Sequence, residues 1–193
     1  MRPTTLSELK QLARQSYDGL WSAAQSMDRD VKLYCHWTGG HYGQYFDDYH
    51  ISIDADGSLY VSTDNMSELK AHTWHRNTGA IGIAMACAYN SFLGSHADLG
   101  PEPPTNAQIE SMAQVVCVLA DALDLTIDLQ RVMTHAEAAD NKDGLYLHEP
   151  YGPDADCERW DLYVLKEGDA PYTGGDILRG KANFYRAQQL LSD

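Results

Sequence analysis

Apolar and polar positions along this chain fall into short blocks whose period keeps changing, the pattern of a sheet interleaved with helices. Leu6, Leu9, Ala13, Tyr17, Leu20 and Trp21 recur at helical spacing, and Thr5 and Glu8 stand as a capping box before them, so a helix is predicted over 5–27. Val31 to His36 (VKLYCH) is a short apolar run rich in strand formers that breaks off at Thr38-Gly39-Gly40, predicting a buried strand that delivers His36 to a loop. Tyr49 to Ile53 alternates, Asp54-Ala55-Asp56-Gly57 turns, and Ser58 to Val61 alternates again, which reads as a hairpin. Ala80 to Ala88 (AIGIAMACA) is apolar throughout, and Gly79 and Gly82 favour a buried central strand over a helix.

Beyond the breaker Gly100-Pro101-Glu102-Pro103-Pro104, a second capping box, Thr105 with Gln108, opens a helix with Ile109, Met112, Val116, Leu119, Ala120 and Leu123 on one face. Val132 to His135 is a short strand that ends in a histidine. Residues 140–158 are rich in Asp, Gly and Pro and read as an irregular loop, Trp160 to Leu165 (WDLYVL) as a short extended piece, and a last helix is expected over 176–191. The order of helix, strand, hairpin, strand, helix, strand, helix predicts an α/β protein with a single mixed central sheet flanked by helices. Its 193 residues suit one domain, 1–193, with a sizeable core.

Charge narrows the partners. A formal charge of −14, from 28 acidic against 14 basic residues, argues against nucleic acid, whose phosphates need Lys and Arg, and against anionic membrane surfaces. No apolar run reaches the roughly 18 residues that span a bilayer. Met1 to Ser7 lacks the basic start and apolar stretch of a secretory signal, so the chain is expected to be cytoplasmic as synthesised. Cys35, Cys87, Cys117 and Cys157 lie far apart and form no CxxC pair, so reduced thiols are expected, the first three in the core and Cys157 on an acidic loop. No pattern specifies an oligomeric state.

Of the eight histidines, His36 and His135 stand apart because each ends a short apolar strand. If the two strands were parallel neighbours, both imidazoles would reach the same sheet edge and face one cleft. A catalytic zinc site takes three protein ligands and keeps a fourth position for water, so two histidines with a carboxylate or thiolate would complete the set.

Four pieces in order carry a resemblance: His36-Trp37-Thr38 with Tyr49-His50-Ile51-Ser52-Ile53-Asp54-Ala55-Asp56-Gly57; Trp74-His75-Arg76-Asn77 with Ala80-Ile81-Gly82-Ile83; Thr134-His135-Ala136-Glu137; and Arg159-Trp160-Asp161. Over about residues 30–165 they resemble the zinc-dependent N-acetylmuramoyl-L-alanine amidases, the family that includes phage lysozyme-amidases and peptidoglycan recognition proteins. The resemblance implies that family's fold, with the helices at 5–27 and 176–191 as additions. It also implies a zinc ion, peptidoglycan or muropeptides as partner, and hydrolysis of the amide between N-acetylmuramic acid and L-alanine in a phage or prophage lysis setting.

Position by position, it implies His36, His135 and Asp161 as zinc ligands. Arg159 matches the basic residue the family carries two positions before its third ligand, whereas the alternative ligand Cys157 has Ala155 at that offset. Tyr49 matches a tyrosine that reaches towards the reacting carbonyl, and Arg159 would hold the oxyanion where the family usually has lysine. Trp37, Trp74, His75 and Asn77 are expected along the substrate groove, and His50 either behind the ligands or against substrate. Ala84 stands where some members carry a glutamate base, which makes Glu137, two residues past His135, the substitute candidate. Two other readings use the same fold: a peptidoglycan-binding module without turnover, and an endopeptidase of the stem peptide. Retention of all three candidate ligands weighs against the first, and Arg159 and Ala84 leave room for the second.

Overall fold

The structure is a computed structural model describing residues 1–149 and 159–192. In chain order its elements are β1 (Arg2–Thr4), α1 (Leu6–Gln15), α2 (Tyr17–Ser26), β2 (Lys32–Trp37), β3 (Ile51–Ile53), β4 (Leu59–Val61), β5 (Ala80–Met85), β6 (Phe92–Leu93), β7 (Ala97–Asp98), α3 (Asn106–Ala122), β8 (Val132–Thr134), α4 (His135–Ala139) and α5 (Gly174–Ala187). Among the described residues a six-stranded sheet runs in the order β1-β4-β3-β5-β2-β8, and β6 with β7 forms a small separate ribbon. The central pairs β3–β5, β5–β2 and β2–β8 are parallel, while β3–β4 and β4–β1 are antiparallel, so the sheet is mixed as expected.

Strand periodicity sorts the two faces of this sheet. Leu33, Cys35 and Trp37 of β2, Ile81, Ile83 and Met85 of β5, and Ile51 and Ile53 of β3 join Leu9, Leu20, Met112, Val116 and Leu119 in one apolar core. The alternate positions Tyr34, His36, Gly82, Ala84 and Ser52 take the other face. Helix α3 packs across β3 and β5 and against α1 and α5, giving the sheet its helical cover. Gln108 of the complete Thr105 capping box reaches back to the carbonyls of Ile53 and Ala86, at 3.1 and 3.0 Å, tying α3 to the ends of two strands. Cys35, Cys87 and Cys117 are buried free thiols. No helix among the described residues is long and apolar enough to cross a membrane.

Several boundaries differ from the pattern-based expectation. The helix expected over 5–27 is two helices broken at Ser16, whose hydroxyl accepts the backbone N–H of Met66 at 2.9 Å; a serine bonding to a neighbouring loop competes with helix continuation. The run 80–88 stays in the sheet only to Met85, and the chain turns at Ala88, which adopts φ 69°. Residues 160–165 form turns rather than an extended piece: Tyr163 N–H bonds Trp160 O at 2.9 Å, and Leu162 has φ 60°. Their apolar character serves the core, where Trp160, Leu162, Val164 and Leu165 are buried.

The last helix spans 174–187 instead of 176–191. It begins on Gly174 and Gly175 because a Cβ on Gly174 would fall 1.9 Å from Leu162 O. It ends where Gln189 and Leu191 turn to positive φ. Strand β1, which no alternation announces, extends the antiparallel edge by pairing Arg2 with Val61 and Thr4 with Leu59.

Candidate functional site

Strands β2 and β8 lie side by side in parallel, with Leu33 opposite Val132 and Cys35 opposite Thr134, so the next residues, His36 still within β2 and His135 just past the end of β8, stand side by side at the same end of the sheet. His135 is also the first residue of α4, which Thr134 caps by accepting the Glu137 N–H. The edge so formed is the carboxyl end of the parallel strands, where open α/β sheets place their ligands. Asp161 joins the pair from the turn after Trp160, its carbonyl accepting the Ala136 N–H at 3.2 Å. Trp160 meets Trp37 edge to face beside it.

The donor atoms converge. His36 Nδ1 lies 3.1 Å from His135 Nδ1 and 3.1 Å from Asp161 Oδ2, and His135 Nδ1 lies 3.3 Å from the same oxygen. Ligands at the N and O distances of tetrahedral zinc stand roughly 3.3 Å apart, so this triangle has the right size for the ion. All three residues are buried. Each imidazole is also oriented from behind: His36 Nε2 meets Thr73 Oγ1 at 3.2 Å, and His135 Nε2 meets the Glu149 carboxylate at 2.8 and 3.0 Å. With Nε2 as the N–H in both rings, both Nδ1 lone pairs face the gap, as a metal requires.

The same contacts polarise the two imidazoles in opposite senses. Burial pulls His36 down to about 4, against the pull of Asp161. Burial opposes protonation of His135 too, but the Asp161 charge and hydrogen bonds to Asp161 and Glu149 push it up to about 9. Burial alone would raise the Asp161 carboxyl; His135 and His36 instead hold it well below the usual carboxylate range.

Above the triangle opens a cavity of about 740 Å³, with Trp37, Tyr49, Trp74, Asn77 and Arg159 among its walls. The Tyr49 ring lies 5.1 Å from that of His36, and desolvation beside Asp161 raises its hydroxyl pKa, so the phenol keeps its proton. Asn77 also shapes the wall, its Oδ1 accepting the N–H groups of His72 and Thr73 at 3.1 and 2.8 Å.

Other sequence-derived candidates take different places. His75 is exposed at φ 59°, edge-on to Trp74 and outside the cavity lining. His50 is buried in the sheet: its Nε2–H donates to Glu68 O at 2.7 Å and its Nδ1 accepts the Gly82 N–H at 3.0 Å, so both nitrogens serve the fold. Glu137 does not reach the cavity as a base would. Its carboxylate accepts from Thr134 N at 2.9 Å and from Arg179 at 2.8 and 2.7 Å, binding α4 to α5. Cys157 lies outside the described residues.

Three residues at the site escaped the sequence reading: His72, Thr73 and Glu149 line the cavity directly behind the candidate ligands. His72 bonds Thr73 Oγ1 at 2.8 Å and lies on Gly82, where a Cβ would come within 2.6 Å of the ring. Its neighbour Gly82 is therefore the signal that could have found it, a gap in an otherwise bulky strand.

The sequence profile of the N-acetylmuramoyl-L-alanine amidases matches residues 17–144. No curated protein sequence matches the chain. Among solved structures, the endolysin N-acetylmuramoyl-L-alanine amidase LysCS from Clostridium intestinale URNW is similar at 18% identity and TM-score 0.40, over 55% of this chain and 68% of the other. The Ph2119 endolysin from Thermus scotoductus MAT2119 bacteriophage Ph2119 matches at 16% identity and TM-score 0.42, over 56% and 72%. PGRP-Hd from Alvinella pompejana matches at 16% and 0.38, over 62% and 86%. The profile match carries His36 and His135 and stops before Asp161, which the turn at Trp160 returns to the same cleft.

Proposed function

The chain belongs to the N-acetylmuramoyl-L-alanine amidase family, and on that premise we propose that it is a zinc-dependent hydrolase of peptidoglycan, cutting the amide between N-acetylmuramic acid and L-alanine. The observation that carries the reading is the buried triangle of His36 Nδ1, His135 Nδ1 and Asp161 Oδ2 at the floor of an open cavity. Held by these three residues, zinc supplies a Lewis acid that makes water nucleophilic near neutral pH.

The remaining chemistry falls to the cavity walls. Tyr49, protonated and beside His36, donates a hydrogen bond towards the lactyl–alanine carbonyl and relays a proton to the leaving amine. Arg159 presents its guanidinium to the oxyanion, a planar fork in place of a compact ammonium. Trp74 offers apolar wall to the glycan and peptide, whereas Trp37, expected beside it, is 4% exposed and packs into the core at the cavity's border; Asn77 holds the loop that carries Thr73 and Trp74. Ala84, buried beside His36 in the β2–β5 register, contributes no carboxylate, so proton handling falls to Tyr49.

The test is zinc content together with mass spectrometry of products from purified muropeptides, wild type against His135→Ala. One equivalent of zinc, with free stem peptide released by the wild type alone, is the expected result. Bound zinc with cleavage inside the stem would keep the site and move the bond to a peptide link. No zinc and no cleavage, with muropeptide still bound, would overturn the enzyme reading in favour of a recognition module.

A further inference from the structure

We infer that Glu149 is the positioning residue of His135, fixing its tautomer and supplying the second negative charge that a buried dication at this site needs. The inference rests on the zinc reading above and concerns a residue outside the sequence motifs that led to it.

Glu149 sits behind the ring, not in front of it. Its Oε2 and Oε1 lie 2.8 and 3.0 Å from His135 Nε2, while Nδ1 on the other side of the same ring faces Asp161 and His36. Both side chains are 5% exposed, so water competes little for the contact. A neutral imidazole has one N–H to give. Given to the carboxylate at Nε2, it leaves the Nδ1 lone pair pointing into the ligand triangle. The opposite tautomer would set a lone pair against a carboxylate and an N–H into the ligand gap, a double mismatch in a buried site.

His36 lacks this arrangement, since its Nε2 meets the hydroxyl of Thr73, which brings no charge. The two histidine ligands therefore differ in basicity, and the anionic support belongs to His135 alone of the pair. Charge balance points the same way. Two neutral imidazoles and the Asp161 carboxylate leave half of a dication's charge uncompensated in a buried setting, and Glu149 supplies the remainder one ring away.

The position is also informative. Ala84 on β5 lies beside His36, so no acid comes from the sheet; the acid comes instead from the segment between the second and third candidate ligands. Glu149 Oε1 is 3.9 Å from Arg159 Nε, so the same carboxylate that orients His135 also steadies the guanidinium on the cavity wall. Because it lies on the far side of the ring from the triangle, Glu149 acts through His135 and not on the reacting atoms.

The experiment measures metal affinity, with no turnover needed. Wild type, Glu149→Gln, Glu149→Ala and the control His135→Ala are titrated with zinc against a chromogenic chelator, and the visible absorption of their cobalt forms is recorded. Losing the supporting carboxylate is expected to weaken zinc binding about ten- to a hundredfold in Glu149→Ala and to alter the cobalt spectrum. Glu149→Gln, nearly isosteric, still accepts the N–H but carries no charge, so it should fall between wild type and Glu149→Ala. Wild-type affinity and spectrum in both Glu149 variants would overturn the inference while leaving the zinc site standing. Failure of the wild type itself to bind zinc or cobalt would remove the zinc reading and this inference with it.

Discussion

Trp160 stands edge-on to Trp37, with ring centroids 4.7 Å apart and planes at 86°. Each indole is the chain neighbour of a candidate ligand: Trp37 follows His36 and Trp160 precedes Asp161. The two histidines need no such device, because the β2–β8 register already sets them side by side. Asp161 comes from a turn outside the sheet, and this aromatic contact, with the Ala136 N–H on its carbonyl, is what seats it.

Trp160→Ala should therefore lower stability by about 3 kcal/mol, as expected for deleting a buried indole, and also reduce zinc occupancy. Trp160→Phe, which preserves an aromatic edge, should keep most of both. Urea unfolding and zinc stoichiometry on the same samples separate the two effects. Full zinc occupancy in folded Trp160→Ala would show that Asp161 is seated by something else.

Asp161→Ala and Cys157→Ala should behave oppositely. Removing the carboxylate takes away one corner of the triangle at 3.1 and 3.3 Å from the two imidazoles, so zinc binding should fall by orders of magnitude. Cys157→Ala should bind zinc as the wild type does. Equilibrium dialysis of both variants decides between the two candidate third ligands, and loss of zinc from Cys157→Ala alone would reverse the assignment.

The parts of this molecule that were legible in the sequence are those where local pattern and tertiary role coincide. His36 and His135 could be found because an apolar run that stops at a histidine implies a strand end. The Thr105 and Gln108 capping box marked the start of α3 because both partners lie within one turn. Glu149 and His72 were not legible. Both sit on loops without periodicity, and what gives them a role is an imidazole 14 or 36 residues away in sequence, at His135 and His36 respectively. The break at Ser16 was hidden for the same reason, since the competing partner is the backbone of Met66. Residues 160–165 misled in the other direction: apolar residues that fill a core from a turn look like those that fill it from a strand.

Glu137 and Arg179 form a buried ion pair that braces α4 against α5, and a Cβ on Gly175 would come within 2.2 Å of the Glu137 carboxylate. Arg179→Met should destabilise the fold by about 3 kcal/mol, because it strands a buried carboxylate. Glu137→Gln should cost less, retain zinc, and leave turnover per folded molecule close to wild type. A drop of a hundredfold or more in kcat for Glu137→Gln, at unchanged Tm, would instead make Glu137 the general base.

Arg159 is more than one-third exposed on the cavity wall and is expected to act on charge that develops only during reaction. Arg159→Ala should lower kcat about a hundred- to a thousandfold with little change in KM, the signature of an oxyanion contact. Arg159→Lys should recover a substantial part, since the charge returns without the fork. Steady-state kinetics on a defined muropeptide measures this, and a loss confined to KM would assign Arg159 to ground-state substrate binding.

The loop that carries Thr73, Trp74 and Asn77 is tied to the segment leading to Glu149 by Arg76, whose guanidinium holds both oxygens of Asp143 at 2.6 and 3.1 Å. Arg76 also donates to Asn141 Oδ1 at 3.1 Å and to Trp74 O at 3.0 Å, and its side chain is 1% exposed. Burial would raise the Asp143 carboxyl, but Arg76 wins and holds it below its ordinary value. A carboxyl depressed in the folded state gives stability that is complete above the unfolded value, about pH 4, and drains away as the pH falls through the folded value. Asp143→Asn should therefore be less stable than wild type at neutral pH by about 3 kcal/mol, because the buried Arg76 guanidinium keeps its hydrogen bonds to Asn141 and Trp74 but loses its counter-charge. That difference should shrink as the pH drops below about 4, because the wild type then loses the same charge. Urea midpoints of both proteins across this range test the sign. A gap that stays constant or widens in acid would mean that Asp143 does not carry the charge that holds these two walls of the cavity together.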